Sequence, residues 1–292
     1  MQHAVYLFPR LFSREEDAAM EWLERTRERR PLVECLTNMV TVNDVANCIL
    51  AVGASPVMAV EKTEAKDIVS LASAVLLNIG TITREQLPAY EEAAANANAL
   101  GKPLVLDPVG AGATAFRTQA VRQLLASFHF TLIRGNASEI AAIEDADKTT
   151  KTAGVDAAPG DAITDDTLPR WLATASSVAR RHRCIVVISG AVDVISDGDR
   201  SWLCRNGVPQ MPLVTGTGCS LTGLCAAFQA VADESERADA AAAASALMGC
   251  AGEIAWKRSG HLGLGSFRQA IVDCLSTMDD PTLAAMKRVE NA

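Results

Sequence analysis

The sequence predicts an α/β protein with a mostly parallel sheet and an antiparallel edge. Short apolar runs, each long enough for one buried strand, alternate over residues 32–189 with segments of helical pattern. Two further runs, 192–196 and 201–205, flank Asp197-Gly198 and predict a hairpin. From Cys219 onward the chain is rich in alanine and predicts helices. This order is typical of parallel strands joined by crossover helices.

The first predicted helix lies within residues 1–30. Ser13 and Glu16 have the spacing of a capping box at its start, and a run of arginines ends it before Pro31. Basic residues at a helix C-terminus interact favourably with the helix dipole. The capping box at the start of this segment and the arginines at its end therefore both favour a helix.

Six strands and their crossovers follow. The strands are predicted at 32–36, 55–59, 74–79, 103–107, 130–134 and 184–189. Between the third strand and the fourth, Thr83 and Gln86 have the spacing of another capping box, and that helix ends at Gly101. Beyond the hairpin, helices are predicted at 238–256, 266–277 and 281–289.

A single domain, 1–292, accounts for the whole length. Single α/β domains of about 250 residues are common, and no clear boundary divides this sequence. The segment 144–166 is rich in Asp, Thr, Ala, Gly and Pro and has few large apolar residues. It predicts a long mobile loop within the domain.

Charge and composition exclude several classes of partner and site. The 27 basic residues against 35 acidic ones give a net charge of −8, which argues against a nucleic-acid partner. The uncharged stretch 211–232 contains too many polar residues to cross a membrane. The eight cysteines include no CxxC pair, which argues against a zinc site. The start of the chain lacks a signal-peptide pattern, so we expect a cytoplasmic protein with reduced thiols.

Small and polar residues follow each predicted parallel strand. The carboxyl ends of parallel strands lie along one edge of a sheet, where such folds bind ligands. One of these clusters matches the GxGxxG/A pattern of dinucleotide-binding proteins through Gly110, Gly112 and Ala115. The cluster follows the fourth strand instead of the first, and no acid about 20 residues later would hold a ribose hydroxyl, so that class is disfavoured. The P-loop pattern is absent from the sequence.

A second glycine cluster, Thr215-Gly216-Thr217-Gly218-Cys219, precedes an apolar helical pattern. Glycines at a helix start let backbone N–H groups converge, and the helix dipole attracts negative charge there. The cluster therefore predicts an anion-binding site. A cysteine in the first helical turn should have a lowered thiol pKa, so Cys219 is a candidate base or nucleophile. A buried structural cysteine is the alternative interpretation.

Six segments together resemble the hydroxyethylthiazole kinase family of thiamine salvage. They are LTN at 36–38, VGASPVMA at 52–59, LNIGT at 77–81, LDPVGAGAT at 106–114, IRGNASEI at 133–140 and TGTGC at 215–219. The resemblance implies a ribokinase-like fold, in which a central, mostly parallel sheet has helices on both faces. It also implies a homotrimer with substrate sites between subunits. The implied activity is phosphorylation of the hydroxyl of 4-methyl-5-(2-hydroxyethyl)thiazole with ATP and Mg²⁺.

The resemblance also implies roles for individual residues. Substrate contacts would fall on Asn38, Met58, Gly80 and Gly216, and ATP contacts on Arg134, Ser189 and Gly218. Asp107 and Glu139 match the acidic residues that the family associates with Mg²⁺. Cys219 takes the place where sugar kinases of this fold have an aspartate base. Met58 would reach the site of a neighbouring subunit.

Each of these residues also has a structural interpretation when it is taken alone. Asp107 could cap a turn, Glu139 could be an acid in the first turn of a helix, Arg134 could form a surface ion pair and Met58 could belong to the core. The match of six positions in one family's order favours the functional interpretation. Two other functions stay open: a related hydroxymethylpyrimidine or pyridoxal kinase, and a nucleotide-binding protein without catalysis. The sequence departs from the family at Glu34, where many relatives have histidine.

Overall fold

A nine-stranded sheet forms the centre of the protein in a computed structural model that describes residues 21–145 and 159–292. The strands are β1 (Leu32–Leu36), β2 (Ser55–Val57), β3 (Ala74–Asn78), β4 (Leu104–Asp107), β5 (Leu132–Asn136), β6 (Ile185–Ser189), β7 (Asp193–Ser196), β8 (Ser201–Cys204) and β9 (Val289–Asn291). Their order across the sheet is β2-β1-β3-β4-β5-β6-β7-β8-β9. Neighbours from β2 to β6 pair in parallel, and neighbours from β6 to β9 pair antiparallel.

Helices cover both faces of the sheet. They are α1 (Trp22–Arg29), α2 (Val42–Ala51), α3 (Lys62–Leu71), α4 (Leu87–Ala99), α5 (Ala115–Ser127), α6 (Ala137–Glu144), α7 (Leu168–His182), α8 (Thr217–Gln229), α9 (Arg237–Ser259), α10 (Leu264–Thr277) and α11 (Asp280–Met286). Helices α1, α2 and α8 to α11 contribute to one apolar core, and α3 to α7 contribute to a second. Strand residues alternate between the two, as Val33 and Cys35 face the first core and Leu36 the second. Within the described ranges, no helix is both long and apolar enough to cross a membrane.

The fold predicted from the sequence is confirmed, including the hairpin that β7 and β8 form at the antiparallel edge. Each of the six predicted strands occurs within two residues of its expected ends. The capping box before α4 is also present, because Gln86 N–H donates to Thr83 Oγ1 at 3.3 Å and Thr83 N–H donates to Gln86 Oε1 at 3.0 Å. The proposed cap at Ser13 and Glu16 and residues 146–158 of the predicted loop lie outside the described residues.

The C-terminal end of the chain differs from the prediction. The helix expected over 281–289 ends at Met286, and Val289–Asn291 forms β9 beside β8. Arg288 directs the chain back to the sheet, since its backbone N–H donates to Asn206 Oδ1 and its guanidinium contacts Glu253 Oε1, each at 2.6 Å. These contacts join residues far apart in the sequence, so the local pattern could not indicate the strand.

Candidate active site

The ends of five parallel strands and the start of α8 meet at one edge of the sheet. Asn38 follows β1, β3 ends in Asn78, β4 ends in Asp107, β5 contains Arg134 and β6 ends in Ser189. Parallel pairing aligns these ends, and Asn78 pairs directly with Asp107. The structure therefore gathers most of the site residues predicted from the sequence.

Asn38 contacts the sulfur of Cys219. Its Oδ1 accepts from the backbone N–H groups of Val40 and Thr41, both at 3.1 Å, so its Nδ2 is the atom that faces the site. Nδ2 lies 3.3 Å from Cys219 Sγ and 3.1 Å from Asn78 Oδ1. Because an amide nitrogen can only donate, the sulfur accepts this hydrogen bond. A hydrogen bond donated to the sulfur stabilises its ionised form.

Asp107 is fully buried, and its two carboxylate oxygens have different surroundings. Oδ2 accepts from Asn78 Nδ2 at 2.8 Å and from Thr222 Oγ1 at 2.7 Å. Oδ1 has no hydrogen-bond partner among the described residues and lies 3.9 Å from Arg134 Nη1. Burial raises the pKa of Asp107, while Arg134 and the two donors oppose that rise. The interpretation of Asp107 as a turn cap is therefore wrong.

Arg134 is a buried cation between several acidic groups. Its Nη2 donates to Ser189 Oγ, and its Nη1 faces Asp107. Burial disfavours the charged guanidinium, but Asp107, Glu139 and Asp193 outweigh burial and raise its pKa. The interpretation of Arg134 as part of a surface ion pair is wrong, because its side chain is only 9% exposed. A fixed positive charge therefore lies within the site.

Glu139 joins the loop after β4 to the start of α6. It forms a capping box with Asn136, since Glu139 N–H donates to Asn136 Oδ1 at 2.9 Å and Asn136 N–H donates to Glu139 Oε2 at 2.8 Å. Its Oε1 accepts from Gly110 N–H at 2.8 Å. Burial and the charge of Asp107 raise the pKa of Glu139 to about 7. Its structural interpretation, an acid in a first helical turn, is confirmed, and a role toward a metal remains a prediction.

The start of α8 has the geometry of an anion-binding site. Gly216 precedes the helix with φ of +89°, a conformation that favours glycine. The first helical amide to bond back is that of Ser220, to Gly216 O at 2.8 Å, so the amides of 217–219 have no acceptor within the helix. A Cβ on Gly218 would lie 2.6 Å from Arg134 Nη1. Because Gly218 has no side chain, the start of α8 can lie against the guanidinium of Arg134. The helix dipole and the guanidinium can then both attract one anion.

The pKa of Cys219 differs from the expectation. Cys219 is half-buried, whereas the other seven cysteines are buried, and all eight are free thiols. Burial and the charge of Asp107 raise the pKa of Cys219, while Arg134 opposes them. The prediction of a lowered pKa is wrong. It was based on the helix dipole alone, whereas desolvation and the neighbouring carboxylate of Asp107 have the opposite effect on the pKa. The thiol of Cys219 therefore ionises less readily than that of an ordinary cysteine.

Asp107 and Glu139 are suited to bind a divalent cation. Their two carboxylates would fill part of its coordination shell and leave the other positions to other ligands. The unpartnered Oδ1 of Asp107 is an oxygen ligand of the kind Mg²⁺ prefers. Each carboxylate oxygen of Glu139 accepts one backbone N–H and keeps a second lone pair. Residues 21–145 and 159–292 contain no cluster of three or more His, Cys, Asp or Glu suited to a metal. Two carboxylates with phosphate oxygens and water are a common Mg²⁺ environment.

Gly80 lies against Asn78 and Asn38, whereas Met58 lies at the edge of the sheet. Gly80 N–H donates to Asn78 Oδ1 at 2.9 Å, and a Cβ on Gly80 would lie 3.0 Å from Asn38 Cβ. Met58 follows β2, the outermost strand of the described sheet, and packs partly buried against the core that includes α8. This packing agrees with the core interpretation of Met58, and its contact with a substrate remains a prediction.

Two residues of the network, Asn78 and Thr222, were not identified as site residues from the sequence. Asn78 is a polar residue at the end of an apolar run, and that position was the available signal. Thr222 follows Gly218 by one helical turn and donates to Gly218 O at 3.2 Å as well as to Asp107. A threonine in a helix has no distinctive pattern, so only the fold reveals this contact.

A buried cation, paired carboxylates and free amides at a helix start, all at the carboxyl edge of an α/β sheet, define a phosphotransferase site. The chain belongs to the hydroxyethylthiazole kinase family, whose sequence model matches residues 23–280. This membership confirms the resemblance found in the sequence, and a family of kinases implies ATP as co-substrate.

Individual relatives agree with this assignment. A hydroxyethylthiazole kinase of Clostridium beijerinckii is 40% identical over 92% of this chain and 95% of its own length. The structure of hydroxyethylthiazole kinase from Pyrococcus horikoshii superposes with a TM-score of 0.83 at 35% identity, covering 93% of this chain and 97% of that one. A Bacillus subtilis pyridoxal kinase, with a TM-score of 0.52 and 18% identity over 72% and 88% of the two chains, shares the fold alone. The fold is therefore ribokinase-like.

Proposed function

We propose that this chain transfers the γ-phosphoryl group of ATP to the hydroxyl of 4-methyl-5-(2-hydroxyethyl)thiazole. The observation that carries the proposal is the position of Cys219. Its sulfur is held by Asn38 at 3.3 Å and belongs to the first turn of the helix whose start packs against Arg134 at Gly218. A proton acceptor and an anion site are thus adjacent, as transfer from a phosphate to an alcohol requires.

The sulfur of Cys219 takes the proton in the proposed step. The alcohol oxygen forms a bond to the γ-phosphorus, the bond between that phosphorus and the bridging oxygen of ADP breaks, and the alcohol proton moves to Sγ. Because the pKa of Cys219 is raised, its ionised form is a stronger base than an ordinary thiolate and forms less readily. The rate should therefore increase with pH over the range in which this thiol ionises.

The remaining site residues would bind the charged groups of ATP and its metal ion. Arg134 and the amides of 217–219 would bind the γ-phosphoryl oxygens, and Ser189, which accepts from Arg134, would contact ATP. Asp107 Oδ1 and Glu139 would hold Mg²⁺, which when bound neutralises part of the triphosphate charge. Thr222 and Asn78 occupy the other oxygen of Asp107, so Oδ1 stays available.

A substrate panel separates this function from its alternatives. The purified chain is supplied with ATP, Mg²⁺ and one of three alcohols: hydroxyethylthiazole, hydroxymethylpyrimidine or pyridoxal. ADP release gives the rate, and mass spectrometry identifies the phosphorylated product. We expect the kcat/KM for hydroxyethylthiazole to exceed the others by about tenfold or more. A preference for another alcohol would favour a related kinase, and nucleotide binding without turnover would favour a non-catalytic protein.

The proposed assembly is a homotrimer with sites shared between subunits, located in the cytoplasm. Large apolar residues are exposed in the loop after β1, at the end of α2 and after β2; they are Met39, Val40, Leu50 and Val60. In the proposed assembly, a neighbouring subunit would cover some of these exposed apolar side chains. The eight free thiols fit a reducing compartment.

Mixing two inactive variants tests the shared site. If Met58 of one subunit completes the site of another, Met58→Asp and Cys219→Ala chains should regain activity when mixed, because some sites then combine two intact residues. The measurement is the rate after subunit exchange has been confirmed by mass spectrometry. An exchanged mixture without rescue would contradict the shared site.

A further inference from the structure

The side chain of Asn78 joins three parts of the site. Asn78 is fully buried at the end of β3. Its Oδ1 accepts from Gly80 N–H at 2.9 Å and from Asn38 Nδ2 at 3.1 Å, and its Nδ2 donates to Asp107 Oδ2 at 2.8 Å. One amide thus connects the side where the alcohol would bind with the carboxylate that faces Arg134.

The neighbours of Asn78 permit one orientation of this amide. A flipped amide would place its NH₂ group against two other donors, Gly80 N–H and Asn38 Nδ2, and its oxygen against the carboxylate of Asp107. Tyr90 Oη donates to the backbone carbonyl oxygen of Asn78 at 3.0 Å, a contact that does not involve the side-chain amide. Asn38 in turn donates to Cys219, so a chain of oriented hydrogen bonds runs from Asp107 to the sulfur.

We propose that Asn78 is a positioning residue for phosphoryl transfer. It holds Asn38, and through Asn38 the sulfur of Cys219, at a fixed place relative to Asp107. This inference rests on the function proposed above, in which Cys219 receives the alcohol proton. Phosphoryl transfer depends on aligned reacting groups, and a displacement of about 1 Å lowers a rate by about 10²-fold.

The kinetic test uses Asn78→Leu, which keeps the branched shape of the side chain and removes all three hydrogen bonds. We expect kcat to fall about 10²-fold, while the KM for ATP changes less than about threefold because Arg134 and Ser189 are untouched. Tyr90→Phe is the matched control, since it removes a buried hydrogen bond of the same residue and leaves the Asn78 side chain in place. Its kcat should stay within about twofold of the parent.

Thr222→Val shows whether Asn78 is more than a donor to Asp107, because Thr222 is the other donor to the same oxygen. We expect its loss of kcat to be at least about fivefold smaller than that of Asn78→Leu. Equal losses, or a near-parental kcat for Asn78→Leu, would contradict the proposal. If Asn78→Leu does not fold, Asn78→Asp at pH 8 replaces it, since it keeps the size and the acceptor oxygen and removes the donor toward Asp107; a near-parental kcat would again contradict the proposal.

A second measurement does not depend on kinase activity. Iodoacetamide should alkylate Cys219 selectively, because it is the one cysteine of eight that is not buried. Alkylation rates are compared for Asn38→Ala, Asn78→Leu and the double variant. If Asn78 acts through Asn38, Asn78→Leu alters the rate and the double variant matches Asn38→Ala within about twofold. Effects that multiply, or no effect of Asn78→Leu, would contradict the link, whereas absent turnover by the parent would contradict the proposed function.

Discussion

Replacing Glu34 should change how the stability of the protein depends on pH. Glu34 lies on β1 with 1% of its surface exposed, and its Oε2 has no hydrogen-bond partner in the described part of the chain. Burial, with a smaller contribution from the charge of Glu64, raises the pKa of Glu34 from 4.5 to about 8. Glu34→Gln keeps the size of the side chain and removes its ionisation.

The sign and size of the effect follow from these pKa values. Between pH 4.5 and about 8 the folded chain keeps a proton on Glu34 that the unfolded chain has lost. The stabilisation from the raised pKa is therefore fully present below pH 4.5, and the free energy of unfolding decreases as the pH rises through this window. One pKa unit corresponds to about 1.4 kcal/mol, so the loss between pH 5.5 and 8.5 should be about 3 kcal/mol.

Urea unfolding at pH 5.5 and pH 8.5 measures this loss. We expect the parent to lose about 3 kcal/mol more than Glu34→Gln between the two pH values. Glu139 and Asp193, whose pKa values are also raised, contribute equally to both proteins and cancel in the comparison. Glu64→Gln is the control, because it removes only the smaller charge contribution and should shift the loss by less than about 1 kcal/mol. Parallel pH dependences for the parent and Glu34→Gln would refute the reasoning.

Three further substitutions test the site and the fold. Gly218→Ala should raise the KM for ATP about tenfold, because its methyl group would lie 2.6 Å from Arg134 Nη1; an unchanged KM would contradict that contact. Glu139→Gln should raise the Mg²⁺ concentration that gives half-maximal rate, and an unchanged titration would leave Glu139 with its capping role alone. Lys102→Met should lower the free energy of unfolding by about 1–3 kcal/mol, since Lys102 Nζ donates to three carbonyls at the end of α3, at 2.7, 2.6 and 2.5 Å. A urea midpoint equal to that of the parent would contradict the last expectation.

The sheet was predictable from the sequence because its strands are short apolar runs with clear separators. β1 has the predicted ends, and β5 is shifted by two residues. The three-residue β9 was not predictable, because Val289–Asn291 has no local strand pattern and is fixed by pairing with β8. Local signals therefore determine the parallel part of this fold, and contacts between distant segments determine its last edge.

Most positions of the site residues were predictable from the sequence, but the hydrogen bonds that connect them were not. The glycine cluster before α8 indicated the anion site, and the family resemblance indicated Asp107 and Arg134. The hydrogen bonds of Asn78 and Thr222 to Asp107 connect three parts of the chain, and no spacing rule contains that information. The pKa of Cys219 was predicted in the wrong direction because burial and the carboxylate of Asp107, which is near in space but far along the chain, oppose the helix dipole.

Replacement of Cys219 by alanine tests the central claim most directly, that its sulfur accepts the proton of the substrate alcohol. The measurement is kcat at saturating ATP and hydroxyethylthiazole, together with thiazole binding by calorimetry. Because a positioned general base contributes about 10² to 10⁴-fold, kcat should fall by that factor while the Kd for the thiazole changes less than about threefold. A kcat within about twofold of the parent, with thiazole still bound, would contradict the role of Cys219 and the mechanism built on it.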